Sequence, residues 1–130
     1  MAFLLDTNVL IHASKNAGKV RVHLQRHKPG ILYVSVVSLA ELMFGASKTA
    51  NPDRSKSLWL EVLAAFAMLD FDASSAHQHA RLRALLRHQP IGERDLLIAA
   101  IACSRDLTVV SHNLSEFGRV PGLACQDWYV

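Results

Sequence analysis

Two cysteines are all the chain has, and no part of it is apolar for long. Cys103 and Cys125 lie far apart and match no metal-binding or redox spacing. Each sits among apolar neighbours, so both read as reduced core residues of a cytoplasmic protein. No apolar run reaches the roughly 18 residues needed to span a bilayer, which excludes a transmembrane helix. No basic region precedes the short apolar stretch near Met1, which argues against a secretory signal. Repeats, low-complexity tracts and linkers are also missing. Nor is there a strong charge imbalance: the net charge is +3 with seven histidines in reserve, which permits a polyanionic partner without demanding one. What the chain does have is apolar material. Of its 130 residues, 51% are hydrophobic and 19% charged. That is enough for a single domain over residues 1–130 with a buried core, and too apolar for a disordered tail.

The pattern alternates strands with helices. Ala2–Leu5 predicts a short strand, Asn8–Ala13 begins a helix, and Val20–His27 predicts another, broken by Pro29-Gly30. Ile31–Val36 is β-branched and aromatic and reads as a buried strand. Ser38–Ser47 predicts a helix with Leu39, Leu42, Met43 and Ala46 on one face. Asn51-Pro52-Asp53 opens the next, in which Leu58, Val62, Leu63 and Phe66 keep helical spacing. Ala67–Phe71 predicts a strand, and Ser74–His88 a helix with Ala76, Ala80 and Leu85 inward. After a loop at Pro90-Ile91-Gly92 come an apolar helix at Arg94–Ser104, a strand at Leu107–Ser111 and a last short strand at Leu123–Gln126. Strands separated by helices imply parallel pairing and an α/β fold. In such folds function gathers at the carboxyl ends of the strands.

Four polar residues fall at that edge. Asp6 follows the first strand, Glu41 lies in the first turn of the helix after ILYVSV, Asp95 opens helix 94–104, and Asn113 follows LTVV. Carboxylates supply the oxygen and charge that hard cations such as Mg²⁺ and Mn²⁺ want. Without a cation, three gathered acids would raise at least one pKa through mutual repulsion. Each residue also has a plainer reading. Asp6 can form an Asx turn that leaves Asn8 as the helix cap. Glu41 completes Ser38-x-x-Glu41, a capping box. Asp95 favours the positive end of a helix dipole, and Asn113 suits a turn. Four independent caps, however, need not share an edge.

The stretches "LLDTNVLIH", "VSVVSLAEL" with "FGASK", and "PIGERDLLIAAIACSRDLTVVSHNLSEFGRVPGLACQDW" resemble the PIN domain, and VapC-type toxins in particular. The match covers essentially the whole chain in order. The resemblance implies a Rossmann-like three-layer α/β/α sandwich with a central, mostly parallel sheet. It implies an endoribonuclease dependent on Mg²⁺, with Mn²⁺ as substitute, acting on RNA such as tRNA or rRNA. It further implies a homodimer restrained by a VapB-type antitoxin. Residue by residue it puts the metal-site acids on Asp6, Glu41 and Asp95 and the fourth polar ligand on Asn113, with Thr7, Asn8 and Ser111 in support. The chain departs from the pattern at Asn113, neutral where many PIN domains carry Asp, at His112 in place of Asn, and at Arg94 beside Asp95. In this reading the acids hold one or two divalent ions that activate water for in-line attack on a phosphodiester, leaving 5′-phosphate and 3′-hydroxyl ends.

Positive charge concentrates in "VRVHLQRHK" and "HQHARLRALLRHQ". His79, Arg83 and Arg87 repeat every fourth residue, so they predict one helical stripe suited to phosphates, or simply a solvated face. Arg94 can hold a phosphate or compete with the cation. Trp59 and Trp128 can stack bases, although Trp59, between Leu58 and Leu60, suits core or dimer packing better. The histidines match no zinc spacing. Asp6-Thr7-Asn8 loosely resembles an aspartyl-phosphatase motif, but Asn8 cannot serve as its acid. The rival from another class is a non-catalytic PIN-like module that grips RNA or protein; Asn113 and Arg94 favour it, and the clustered acids favour the enzyme.

Overall fold

The computed structural model describes residues 1–130. Its elements, in chain order, are β1 (Phe3–Leu5), α1 (Thr7–Ser14), α2 (Val20–Gln25), a 3-10 turn at Pro29–Ile31, β2 (Leu32–Ser35), α3 (Val36–Ser47), α4 (Pro52–Leu63), β3 (Ala67–Leu69), α5 (Ala73–Leu85), α6 (Glu93–Ser104), β4 (Thr108–Val110), α7 (Leu114–Phe117) and β5 (Cys125–Gln126). The strands form one sheet in the order β3-β2-β1-β4-β5. Every pairing is parallel, not merely most of them. No helix is long and apolar enough to cross a membrane.

The strands are apolar on both faces because both faces are covered, as parallel sheets require. Alternate residues divide between two cores. Leu4 and Val109 pack with Leu82, Leu86, Leu96, Ile98 and Phe117 of α5, α6 and α7. Phe3, Leu5, Leu32, Val34 and Val110 pack with Val9, Leu10, Val20, Leu42 and Leu63 of α1–α4. The result is the three-layer α/β/α sandwich. In α6 the residues Leu96 and Ile98 through Ala102 are all buried, since the helix lies between the sheet and α5 and its alanines allow close approach.

The chain order of the strands decides where a site can form. From β1 the chain moves outward to β2 and β3, then crosses back to β4 and β5 on the other side. The crevice at the carboxyl ends of β1 and β4 is therefore the topological switch point, the usual place for a ligand in an open parallel sheet.

Several expectations need correction. On α5 the inward residues are Ser75, Leu82 and Leu86, whereas Ala76, Ala80 and Leu85 are exposed. A serine can hold that inward position because its hydroxyl bonds Asp72 and lies 3.3 Å from that of Ser104. On α4 Leu63 is buried and Trp59 and Phe66 half-buried, while Leu58 and Val62 face outward. The strand at β2 stops at Ser35, because Ser35 caps α3 and the chain turns there. Helix α7, a single turn, was not expected at all.

Candidate active site

Asp6 is fixed by three bonds. Its backbone N–H donates to Val110 O at 2.9 Å, closing the β1–β4 ladder. Its Oδ1 accepts the Thr7 N–H at 2.8 Å, so Asp6 itself caps α1 and Asn8 does not. Its Oδ2 accepts the Ser111 hydroxyl at 2.9 Å. The residue is 4% exposed. Burial pushes its carboxyl above the usual value; the bonds from Ser111 and Thr7 pull the other way, and the nearby Glu41 adds repulsion.

Glu41 is not part of a capping box. Helix α3 starts at Val36, and its cap is Ser35, whose Oγ accepts the Ser38 N–H at 3.2 Å. Glu41 therefore lies in the second turn, with its carboxylate free to turn toward the crevice. There Oε1 accepts the Thr7 hydroxyl at 2.9 Å, and Oε2 meets Arg94 Nη1 at 3.2 Å. The Thr7 hydroxyl has one proton and gives it to Glu41, so the Ser38 hydroxyl at 2.8 Å must be the donor to Thr7. A chain of hydroxyls thus holds Glu41 next to Asp6.

The other half of the site is built on α6 and the segment after β4. The Asn113 N–H donates to Ser111 Oγ at 2.9 Å. Ser111 therefore links Asp6 to Asn113. The Asn113 amide Nδ2 donates to Asp95 Oδ2 and Glu116 Oε2, each at 2.9 Å, while its Oδ1 accepts the Ser115 hydroxyl at 3.0 Å. As arranged, Asn113 faces the acids with its NH₂ and not with its oxygen. Two flanking carboxylates demand donors, so the amide turns its NH₂ toward them. Glu116 also accepts the Gly92 N–H at 3.1 Å. Burial, the hydrogen bond to Glu116 and the charges of Asp6 and Glu116 raise the Asp95 carboxyl to about 7. The same hydrogen bond holds Glu116 below its usual value.

Glu116 is the residue that the sequence reading missed. Its signal was the spacing Asn113-x-x-Glu116, one helical turn, hidden because α7 is only one turn long. Arg94 is brought to the site by its contact with Glu41. Arg83 and Arg87 are not: Arg83 is exposed on α5, and Arg87 is exposed in the turn that follows, where it donates to Ala84 O at 2.8 Å. The expected stripe is also incomplete, since His79 turns edge-on to Phe71. Asn8 is exposed on α1, and Ser111 is buried between the halves. An open cleft of about 440 Å³ borders Glu41, Gly92, Glu93, Arg94, Asp95 and Leu97.

Asp6, Glu41, Asp95 and Glu116 form an all-oxygen donor set suited to a hard divalent cation. Burial first, and then neighbouring charge, raises two of its carboxyls: Glu41 acts on Asp6, and Asp6 and Glu116 act on Asp95. As arranged, no three acidic groups converge on one ligating point. Arg94 holds Glu41 and Asn113 holds the Asp95–Glu116 pair, each occupying acceptor oxygens that a cation would need.

An α/β sandwich with acids from four segments at one switch point defines a class, and residues 3–123 match the model of the PIN domain. The chain belongs to the PIN domain family. It is 37% identical over 131 residues to the tRNA(fMet)-specific endonuclease VapC of Shigella flexneri, covering 98% of each chain. It is 34% identical over 130 residues to ribonuclease VapC2 of Haemophilus influenzae, again covering 98% of each. Among solved structures, it is similar to a chain of the DNA-bound VapBC of Salmonella typhimurium, with a TM-score of 0.90, 32% identity and 98% of both chains covered. A chain of the promoter-bound VapBC2 of Rickettsia felis matches with a TM-score of 0.87 at 30% identity, covering 98% of this chain and 99% of that one.

Proposed function

We propose that this chain is the toxin ribonuclease of a toxin–antitoxin pair, an endonuclease that hydrolyses structured RNA with the help of Mg²⁺ or Mn²⁺. The observation that carries the reading is the meeting of Asp6, Glu41 and Asp95, from three separate segments, at the β1–β4 crevice. The VapC relatives support RNA as substrate, and the one named for tRNA(fMet) makes tRNA the first candidate. The VapBC complexes support a VapB-type antitoxin as partner. A homodimer follows from the family resemblance.

Asp6, Glu41 and Asp95 would hold the ion, with Glu116 beside them. When bound, the ion supplies an activated water and neutralises charge that develops on the phosphoryl oxygens. Ser111 and the Thr7 N–H keep Asp6 in one rotamer. Thr7 and Ser38 orient Glu41. With no ion bound the Asp95 carboxyl stands near 7, so holding the ion would release a proton from it at neutral pH. Asn113 steadies Asp95 and Glu116. Arg94 is placed to exchange Glu41 for a phosphate oxygen of the substrate.

The Arg94–Glu41 ion pair is also the observation that favours the second reading, a module that binds RNA without cutting it. One experiment separates the two. Purified protein is incubated with total tRNA and ribosomal RNA in Mg²⁺ or Mn²⁺, in chelator, and beside Asp95→Asn. Discrete fragments that need metal and vanish in the variant are expected. RNA bound but uncut in either metal would favour the binding module.

A further inference from the structure

Next to the acid crevice lies a group of rings that the chemistry above does not use. His112 stands between Ser111, which bonds Asp6, and Asn113, which bonds Asp95. Its ring stacks on Tyr129, with centroids 4.3 Å apart and planes 25° from parallel. His12 meets both edge-on, at 4.9 Å from Tyr129 and 5.8 Å from His112. His12 lies one turn after Asn8 on α1, the helix that Asp6 caps.

The group is held from several sides. Asp127 binds His112 Nδ1 through Oδ2 and the Tyr129 N–H through Oδ1, each at 2.8 Å. Tyr129 O accepts the Lys19 N–H at 2.8 Å. The Tyr129 ring lies flat on Gly18, where a Cβ would come within 2.7 Å of it. The C-terminal residues have a further anchor in Trp128, 2% exposed and packed against Phe3 and His27. Yet the pinned His112 side chain is 46% exposed, and its Nε2 bonds nothing in the chain. A ring immobilised on one face and open on the other loses little entropy when a planar ligand covers it.

We propose that His112, backed by Tyr129 and His12, is a nucleobase subsite. It stacks an unpaired base of single-stranded RNA beside the scissile phosphate. Aromatic platforms of this kind bind bases through their π-faces with little sequence preference. The free Nε2 adds a contact to the base edge or the ribose. The proposal rests on the ribonuclease reading for the position of the phosphate, but not for the stacking itself.

The test uses a short RNA that the protein cleaves, the wild-type chain, and the variants His112→Ala and His112→Phe. His112→Ala should raise KM roughly 5- to 150-fold, the range of one lost base stack, with kcat nearly unchanged. His112→Phe, which keeps the platform, should recover most of that loss. Abasic sites are then placed in turn on either side of the cut. One of them should cost the wild type the same factor and cost His112→Ala nothing further. Equal abasic losses in both proteins, or an unchanged KM in His112→Ala, would overturn the subsite. Quenching of 2-aminopurine in bound RNA is read in parallel, without cleavage. A protein that quenches through His112 but does not cut keeps the subsite and loses the nuclease reading. One that cuts with His112 irrelevant keeps the nuclease and loses the subsite.

Discussion

Asp6 and Glu41 on one side of the crevice, and Asp95 and Glu116 on the other, carry the same formal charge but are stabilised differently. Asp6 and Glu41 each have donors of their own: the Thr7 N–H and Ser111 for Asp6, Thr7 and Arg94 for Glu41. Asp95 and Glu116 share one amide, Asn113, and are pushed in opposite directions, Asp95 up to about 7 and Glu116 below its usual value. The first pair is held in fixed rotamers by those donors. The second can change its charge near neutral pH. A cation entering the crevice would meet a rigid charged wall on the β1–α3 side and a proton-exchanging one on the α6–α7 side.

The largest expected effect comes from removing charge on either side. Asp6→Asn and Asp95→Asn should each slow single-turnover RNA cleavage by about a thousandfold or more, since several kcal/mol of charge stabilisation goes with the ion. Both should keep the fold, because the Asn oxygen can still accept the bonds from Ser111 or Asn113. Full activity in either variant would end the comparison, since that wall would then be structural only.

A smaller effect separates the two walls by pH. In chelator, Asp95 has a folded pKa of about 7 against an ordinary 3.8. Between those values the folded chain keeps a proton that the unfolded chain has released, so stability falls as pH rises from 5 to 8. Glu116, lowered from 4.5, contributes in the opposite sense, because its stabilisation is lost only as pH falls. The pair is half-open to solvent, so the net loss should be only about 1 kcal/mol, or roughly 3–5 °C in Tm. Asp95→Asn should flatten the profile, and Asp6→Asn should leave most of the slope at Asp95. Identical slopes in wild type and Asp95→Asn, followed by thermal melts at several pH values, would place the titration on another group.

The two sides also differed in how far the sequence exposed them. Asp6 was legible because an apolar strand ends abruptly on a carboxylate, and strand-helix alternation placed it, Glu41 and Asp95 at one edge of a parallel sheet. The role of Glu41 was obscured by two serines three residues apart. Val36 and Val37 suit a strand as well as a helix, so nothing local said that Ser35 rather than Ser38 would cap α3. Asn113 was found, but not its orientation, because which end of an amide faces inward depends on neighbours remote in sequence. Glu116 was missed because a one-turn helix leaves no periodicity to read. The inward face of α5 was misplaced because Ser75 is polar, and its partner Ser104 lies on another helix.

The smallest effect tests what Arg94 does to the charged wall. Its guanidinium is 70% exposed at 3.2 Å from Glu41 Oε2, so the ion pair is worth little, about 0.2–1 kcal/mol. Arg94→Gln should therefore tighten Mn²⁺ binding only about two- to fivefold in the absence of RNA, as measured by calorimetry, because Glu41 is released to the ion. On RNA binding the effect should be the opposite. If Arg94 exchanges Glu41 for a phosphate, the variant should show a KM raised by a similar factor while its metal affinity improves. Such opposed shifts are expected if one guanidinium serves two partners in turn, and they should exceed those of Arg83→Gln, which removes a charge remote from Glu41. Tighter metal with an unchanged KM would make Arg94 a counterion of Glu41 alone. Weaker metal would mean that the arginine holds Glu41 in the rotamer the cation needs, and that the rigidity of the β1–α3 wall depends on it.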